Sequence, residues 1–103
     1  MLVTIADRPV HVNDEGFLEN AEEWTEEIGA ELAADLGIEL SDEHLAVIRF
    51  VREDYAANGV TPTLRRTTTR TGVPLKRMFA LFPKKPAKKL AYVAGVPKPV
   101  GCV

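Results

Sequence analysis

Thiol chemistry in this 103-residue chain has one place to reside. Its only cysteine, Cys102, stands in the closing run Gly95-Val96-Pro97-Lys98-Pro99-Val100-Gly101-Cys102-Val103. A cysteine thiolate is a strong nucleophile and exchanges with other sulfur centres. Pro97 and Pro99 fix φ, remove two backbone donors and hold their neighbours extended. Residues 96–103 are therefore expected to form a flexible but proline-stiffened arm. At about 3.1 Å per residue, Val96 to Cys102 spans on the order of 20 Å. A thiol at the tip of such an arm is suited to entering another protein, and Gly101 lets the backbone approach a tight pocket. The alternative is an incidental cysteine on a frayed tail. The carboxylate expected at Val103 disfavours the neighbouring thiolate, so activation is expected to come from a partner's site.

The other reactive side chains form no comparable constellation. His11 and His44 have no partner at metal-ligand spacing, and neither a metal nor a cofactor is expected. His44 falls in the first turn of a helix and reads as a surface or packing residue. Glu22, Glu23, Glu26, Glu27 and Glu31 read as the wet face of a helix, not as an acid/base pair.

The net charge of −2 hides a split between the halves. Residues 1–48 hold thirteen carboxylates against Arg8, and residues 49–103 hold twelve cations against Glu53 and Asp54. Two basic groups stand out as partner-binding candidates: Arg65, Arg66, Arg70, Lys76 and Arg77, then Lys84, Lys85, Lys88 and Lys89. They suit an acidic partner or a nucleic acid, or they pair with the acidic half of their own chain.

The elements that must position these residues follow from periodicity and punctuation. Residues 2–5 and 9–12 read as a short hairpin, with Pro9 tolerated at a strand start or edge. A helix is expected from about Ala21 to Leu36, capped by Asn20 with Glu23 completing a capping box. Its buried stripe is Trp24, Ile28, Leu32 and Leu36. Ser41 caps a second helix over Asp42 to Asn58, with Leu45, Ile48, Val51, Arg52 and Tyr55 on one face. Pro62 opens a short third helix to about Thr71, weakened by Thr67-Thr68-Thr69. Pro74 begins a fourth, with Leu75, Met78, Phe79 and Phe82 apolar. The third and fourth make a helix-turn-helix-like pair. Pro86 starts a fifth and Gly95 caps it.

Length bounds this to one domain, residues 1–95, ahead of the arm. A single cysteine, no basic and apolar leader, and no run of membrane-spanning length together give the expectation of a cytoplasmic protein.

Several segments in order resemble the DsrC/TusE family of small sulfur-trafficking proteins. They are Asp14-Glu15-Gly16-Phe17-Leu18 with Trp24, Glu43-His44 with Val47-Ile48-Arg49-Phe50-Val51-Arg52, and Pro62 with Leu64-Arg65. Leu81-Phe82-Pro83, Pro86-Ala87-Lys88 and the run from Ala94 to Val103 complete the set. The resemblance implies a mainly α (α+β) fold: a small N-terminal β-hairpin, about five helices and an extended C-terminal arm. It implies that Cys102 carries sulfur as a persulfide, with Gly95, Pro97, Lys98, Pro99 and Gly101 shaping the arm.

TusE-like members relay sulfane sulfur from an upstream donor protein to the enzyme that thiolates the tRNA wobble uridine, which allows an indirect tRNA contact. DsrC-like members with two cysteines work with dissimilatory sulfite reductase. Their second cysteine falls eleven residues before the last, and Ala91 stands at that position here. A single thiol cannot close an intramolecular trisulfide, so the TusE-like relay is preferred. The stretch between Pro62 and Leu81 also departs from the family by carrying Arg66-Thr67-Thr68-Thr69 in place of a longer, more apolar connection. A subunit of a sulfite-reductase-type complex and a nucleic-acid-binding helix-turn-helix module remain the alternatives.

Overall fold

Two adjoining residues with positive φ, Ala6 at 52° and Asp7 at 62°, close the first hairpin. A two-residue turn of this kind matches the right-handed twist of its strands. It joins β1 (Leu2–Ile5) to β2 (Arg8–His11), which run antiparallel with Val3 opposite Val10 and Thr4 opposite Pro9. The second strand thus begins at Arg8, a residue earlier than expected, because the turn consumes two residues and not three. Pro9 is tolerated because this two-stranded sheet has only edge strands. The computed structural model describes residues 1–99; Val100, Gly101, Cys102 and Val103 lie outside the described residues.

The expected helix from Ala21 to Leu36 is interrupted. Ala21–Glu23 forms a single 3-10 turn, and the chain is extended at Trp24 and Thr25. Helix α1 (Glu26–Asp35) then starts from Thr25, whose hydroxyl accepts the Ile28 amide at 3.2 Å. Asn20 makes no side-chain cap. Glu23 is drawn away to the hairpin instead, accepting the His11 amide at 2.9 Å and bonding the ring Nδ1 at 2.9 Å. The amide bond first, and the ring second, hold its carboxyl below the usual glutamate range.

Helix α2 (Asp42–Asn58) has the expected limits. Ser41 Oγ accepts the His44 amide, and His44 Nδ1 accepts the Ser41 amide at 3.0 Å, which closes a capping box. Because Nδ1 is the acceptor, the ring proton sits on Nε2 and donates to the Leu81 carbonyl at 2.8 Å. His44 is therefore a packing residue that ties α2 to the end of α4, as its position in the sequence suggests.

Helix α3 (Leu64–Thr71) begins two residues after Pro62, with Thr63 as its cap. Its threonine run is accommodated by back-bonding: Thr67 and Thr71 donate to carbonyls four residues earlier, at 2.9 and 2.7 Å. Helix α4 (Leu75–Leu81) uses Pro74 as its cap. Met78, Leu81 and Phe82 are buried, whereas the equally apolar Leu75 and Phe79 are 52% and 48% exposed. At 100° per residue the five apolar side chains span one arc of roughly 160°, and the core takes only the side that holds Met78 and Leu81. Helix α5 (Pro86–Ala94) starts on Pro86 and is capped by Gly95 at φ 74°, both as expected.

Helices α1, α2 and α5 enclose the main core of Phe17, Val47, Ile48, Met78, Phe82 and Val93. A smaller cluster of Val10, Val12, Leu18, Ile28 and Leu32 lies beneath the hairpin, and Trp24 and Tyr92 border both. The charge split is used within the molecule. Glu43–Arg77, Glu26–Arg49, Glu15–Lys88 and Glu15–Lys98 all join a carboxylate of residues 1–48 to a cation of residues 49–103.

Candidate functional site

The end of an α-helix leaves four carbonyls without an intrahelical donor. At the end of α5 all four are supplied. The Val96 amide reaches Ala91 at 3.2 Å and the Gly95 amide reaches Tyr92 at 3.4 Å, which the left-handed Gly95 permits. The Trp24 indole N–H donates to Val93 at 2.8 Å, and Arg52 Nη1 donates to Ala94 at 2.9 Å. Arg52 Nη2 also reaches the Ala21 carbonyl at 3.1 Å, and its guanidinium lies 4.3 Å above the Trp24 ring. The last turn of α5 is thereby tied to the extended link before α1 and to the middle of α2.

Trp24 occupies a slot that two glycines create. A side-chain carbon added at Gly29 would stand 2.7 Å from the indole, and one added at Gly95 would overlap its five-membered ring. This accounts for a glycine in the interior of α1, where its helix propensity is poor.

From this root the arm runs along the body. Val96 is fully buried in the main core, and Pro99 is buried as well. The Thr61 hydroxyl donates to the Pro97 carbonyl at 2.7 Å. Lys98 Nζ lies 3.2 Å from the Glu15 carboxylate, which Lys88 approaches from the other side at 3.8 Å. A cleft of about 340 Å³ is lined by Pro97, Lys98 and Pro99 together with Tyr55, Val60 and Thr61. The span expected of a free arm counted from Val96 is shortened, because Val96 packs as part of the core. Cys102 and Gly101 lie outside the described residues.

The basic candidates divide into two groups. Arg66 makes a two-pronged pair with Asp54, at 3.0 Å from Nε and 2.8 Å from Nη2. Arg77 pairs with Glu43 at 2.7 Å, Lys88 with Glu15, and Lys89 Nζ donates to the Pro83 carbonyl. Arg65, Arg70, Lys76, Lys84 and Lys85 are exposed and make no ion pair among the described residues. Lys85, Lys88 and Lys89 line an open pocket of about 370 Å³ floored by Phe17 and Tyr92. Among the described residues no group of three His, Cys, Asp or Glu side chains is placed to hold a metal ion. Burial raises the Tyr92 phenol above its usual range, so that group is protonated at neutral pH.

The Asp54–Arg66 pair gives a test at acid pH. The guanidinium hydrogen bonds lower the Asp54 carboxyl below its usual range, with the Arg66 charge and Asn58 adding to the effect. A carboxyl depressed by folding stabilises the fold above its unfolded pKa, about 3.9, and loses that contribution as pH falls through the folded value. Urea midpoints followed from pH 7 to pH 2.5 are expected to fall more gently below about pH 4 in Asp54→Asn than in wild type. Parallel acid limbs would show that the pair carries no linkage.

Sequence reasoning placed Trp24 and Arg52 on apolar faces and missed their joint role at the root of the arm. The signal was an arginine set within the apolar stripe of α2. Thr61, which holds Pro97, carried no signal, and Glu15, which pairs with Lys98, stood in the Asp14–Leu18 run without any sign of that role.

Comparison with known proteins decides the ancestry. The family described as DsrC like protein matches residues 4–103. The chain belongs to the DsrC family. It is 36% identical over 103 residues to the sulfurtransferase TusE of Salmonella typhimurium, covering 93% of this chain and 94% of the relative. It is 35% identical over 102 residues to the gamma subunit of the dissimilatory-type sulfite reductase of Nitratidesulfovibrio vulgaris, covering 98% and 97%. Among solved structures, DsrC of Allochromatium vinosum superposes with a TM-score of 0.87 at 32% identity, over the full length of both chains. The oxidised gamma subunit (DsrC) from Archaeoglobus fulgidus gives 0.85 at 34%, again over the full length of both. The hairpin, the five helices and the run into the arm are thus the architecture of DsrC-family proteins.

Proposed function

We propose that this DsrC-family chain is a cytoplasmic sulfur carrier of the TusE type. Cys102 accepts sulfane sulfur from a donor protein and passes it to an acceptor in a pathway of tRNA 2-thiouridine formation. The Cys102 thiolate attacks the outer sulfur of the donor's persulfide. The donor S–S bond breaks, its cysteine leaves as a thiolate, and Cys102 holds the transferred sulfur as a persulfide. The acceptor's thiolate then attacks that outer sulfur and Cys102 leaves as a thiolate. No external oxidant or reductant is consumed.

The observation that carries this reading is a single thiol within the family match. Ala91, where the two-cysteine members have their second sulfur, is a buried core residue whose carbonyl holds the arm through Val96. All exchange must therefore be intermolecular. The similarity to a sulfite reductase gamma subunit supports a second reading, a subunit or partner of a sulfur-metabolising complex.

Intact mass spectrometry after incubation with a persulfidated donor is expected to show the gain of one sulfur atom, lost in Cys102→Ser. An unchanged wild-type mass, or a gain that persists in the variant, overturns the carrier reading. Loss of 2-thiouridine from tRNA on deletion of the gene separates the first reading from the second.

A further inference from the structure

Helix α5 has a second face that the core does not use. Ala87, Leu90, Ala91, Val93 and Ala94 are buried. Lys88, Lys89 and Tyr92 lie three and four residues apart and share another stripe of the helix. Lys85, its capping residue at φ 53°, joins them in lining a pocket of about 370 Å³. Phe17, Leu36 and the half-buried Tyr92 give that pocket an apolar lining, and Glu15 completes it. The residues facing α5 are fixed by one turn. Asn13 Oδ1 accepts the amides of Glu15 and Phe17 at 2.9 and 3.1 Å. The Phe17 and Tyr92 rings then meet edge to face, with centroids 5.5 Å apart. A pocket held in this way is formed before any ligand arrives, and its volume lies within the roughly 300–1,000 Å³ of small-ligand sites.

Cations outnumber acids in this pocket. Glu15 is the one carboxylate among the lining residues, and it is shared between Lys88 at 3.8 Å and Lys98 of the arm at 3.2 Å. Lys89 Nζ donates to the neutral Pro83 carbonyl, and Lys85 makes no ion pair among the described residues. Asp35 acts on the Tyr92 phenol but does not line the pocket. The start of α5 adds its own partial positive charge, and no acidic residue in its first turn offsets it.

Excess positive charge beside an apolar lining selects an anion with a planar body. Three ammonium groups gathered in one pocket suit the several oxygens of a single phosphate. An aromatic ring next to them offers a surface to a base. The Glu15 carboxylate repels a second carboxylate, which counts against an acidic peptide, yet it accepts from the N–H groups of a base. We propose that the pocket formed by Glu15, Lys85, Lys88, Lys89 and Tyr92 binds a nucleoside phosphate, free or at the exposed end of an RNA. The phosphate lies on the lysines and the base against Tyr92. The inference goes beyond the carrier reading and requires nothing of Cys102.

The test is an NMR titration of the full chain, following its backbone amides, with guanosine monophosphate as the probe. Saturable one-to-one shifts are expected at the amides of Glu15, Phe17, Lys88 and Tyr92. Inorganic phosphate and guanosine, each keeping only part of the contacts, are expected to bind about tenfold more weakly or worse. Lys85→Gln/Lys88→Gln is expected to weaken nucleotide binding by about tenfold or more. Glu15→Gln is expected to tighten inorganic phosphate, because it removes a repelling charge and releases Lys88; a folding defect would not produce a gain. The spectra of both variants report their folding directly. A short RNA with a terminal phosphate that displaces the nucleotide and binds more tightly supports the proposal with RNA as the source, and equal or weaker binding supports it with the free nucleotide. Absence of saturable shifts, shifts clustered elsewhere, or unchanged affinity in the lysine variant overturns it. Equal affinity for nucleotide and inorganic phosphate overturns it as well, leaving a cationic patch without a place for the base. Tighter binding of a peptide of alternating glutamate and phenylalanine overturns it in favour of a protein partner.

Discussion

Gly95→Ala is expected to lower Tm by more than about 10 °C, the largest single-residue effect on stability in this fold. Two penalties coincide. At φ 74° an alanine Cβ crowds the carbonyl, at roughly 1–2 kcal/mol. The same carbon would fall on the Trp24 ring, and relieving an overpacked site costs about 1–3 kcal/mol more. Trp24 cannot swing aside cheaply, since doing so releases the Val93 carbonyl and unstacks Arg52. A combined loss of about 3 kcal/mol or more is a large share of the stability of a domain this size. Calorimetry gives the answer, with Gly72→Ala as control: its φ is 78° but no atom stands near an added carbon. A control as damaging as Gly95→Ala would show that backbone strain, not the indole, sets the cost.

Arg52→Met is expected to destabilise by about 2–4 kcal/mol, from two charged hydrogen bonds and one stacked cation. Methionine keeps much of the apolar stem, so the loss reports the guanidinium. Burial lowers the Arg52 pKa somewhat, yet the group stays charged at any working pH. Arg52→Lys is expected to recover little, because one ammonium cannot span the Ala94 and Ala21 carbonyls as a planar fork does. The variant should also raise the KM for sulfur transfer relative to loading by a small persulfide, since the Ala94 carbonyl is fixed at the root of the arm. Equal urea midpoints for Met, Lys and wild type would remove Arg52 from this role.

Elements set by local chemistry were readable from the sequence alone. Ser41 and Asn58-Gly59 bound α2, Pro86 and Gly95 bound α5, and each does so through caps within a few residues. The interrupted first helix was not readable. Asn20 and Glu23 have a capping pattern, but Trp24 bonds a carbonyl 69 residues away and Glu23 bonds the hairpin. Those distant partners outweigh a local preference worth about 1 kcal/mol. The outward turn of Leu75 and Phe79 was hidden for a similar reason, since periodicity shows that a helix has an apolar arc but not which part of it the core accepts. At the site, the resemblance marked the arm and its cysteine, while the side chains gripping its root, Trp24 and Arg52, come from the link before α1 and from the middle of α2.

The chain contains one tryptophan, and it lies where the last turn of α5 meets the arm. Its indole is hydrogen-bonded at one edge and covered by a cation on one face. Intrinsic emission from this molecule is therefore a local gauge of the arm's root rather than an average over the whole body. An event that tugs on the tether can be followed optically without attaching any dye.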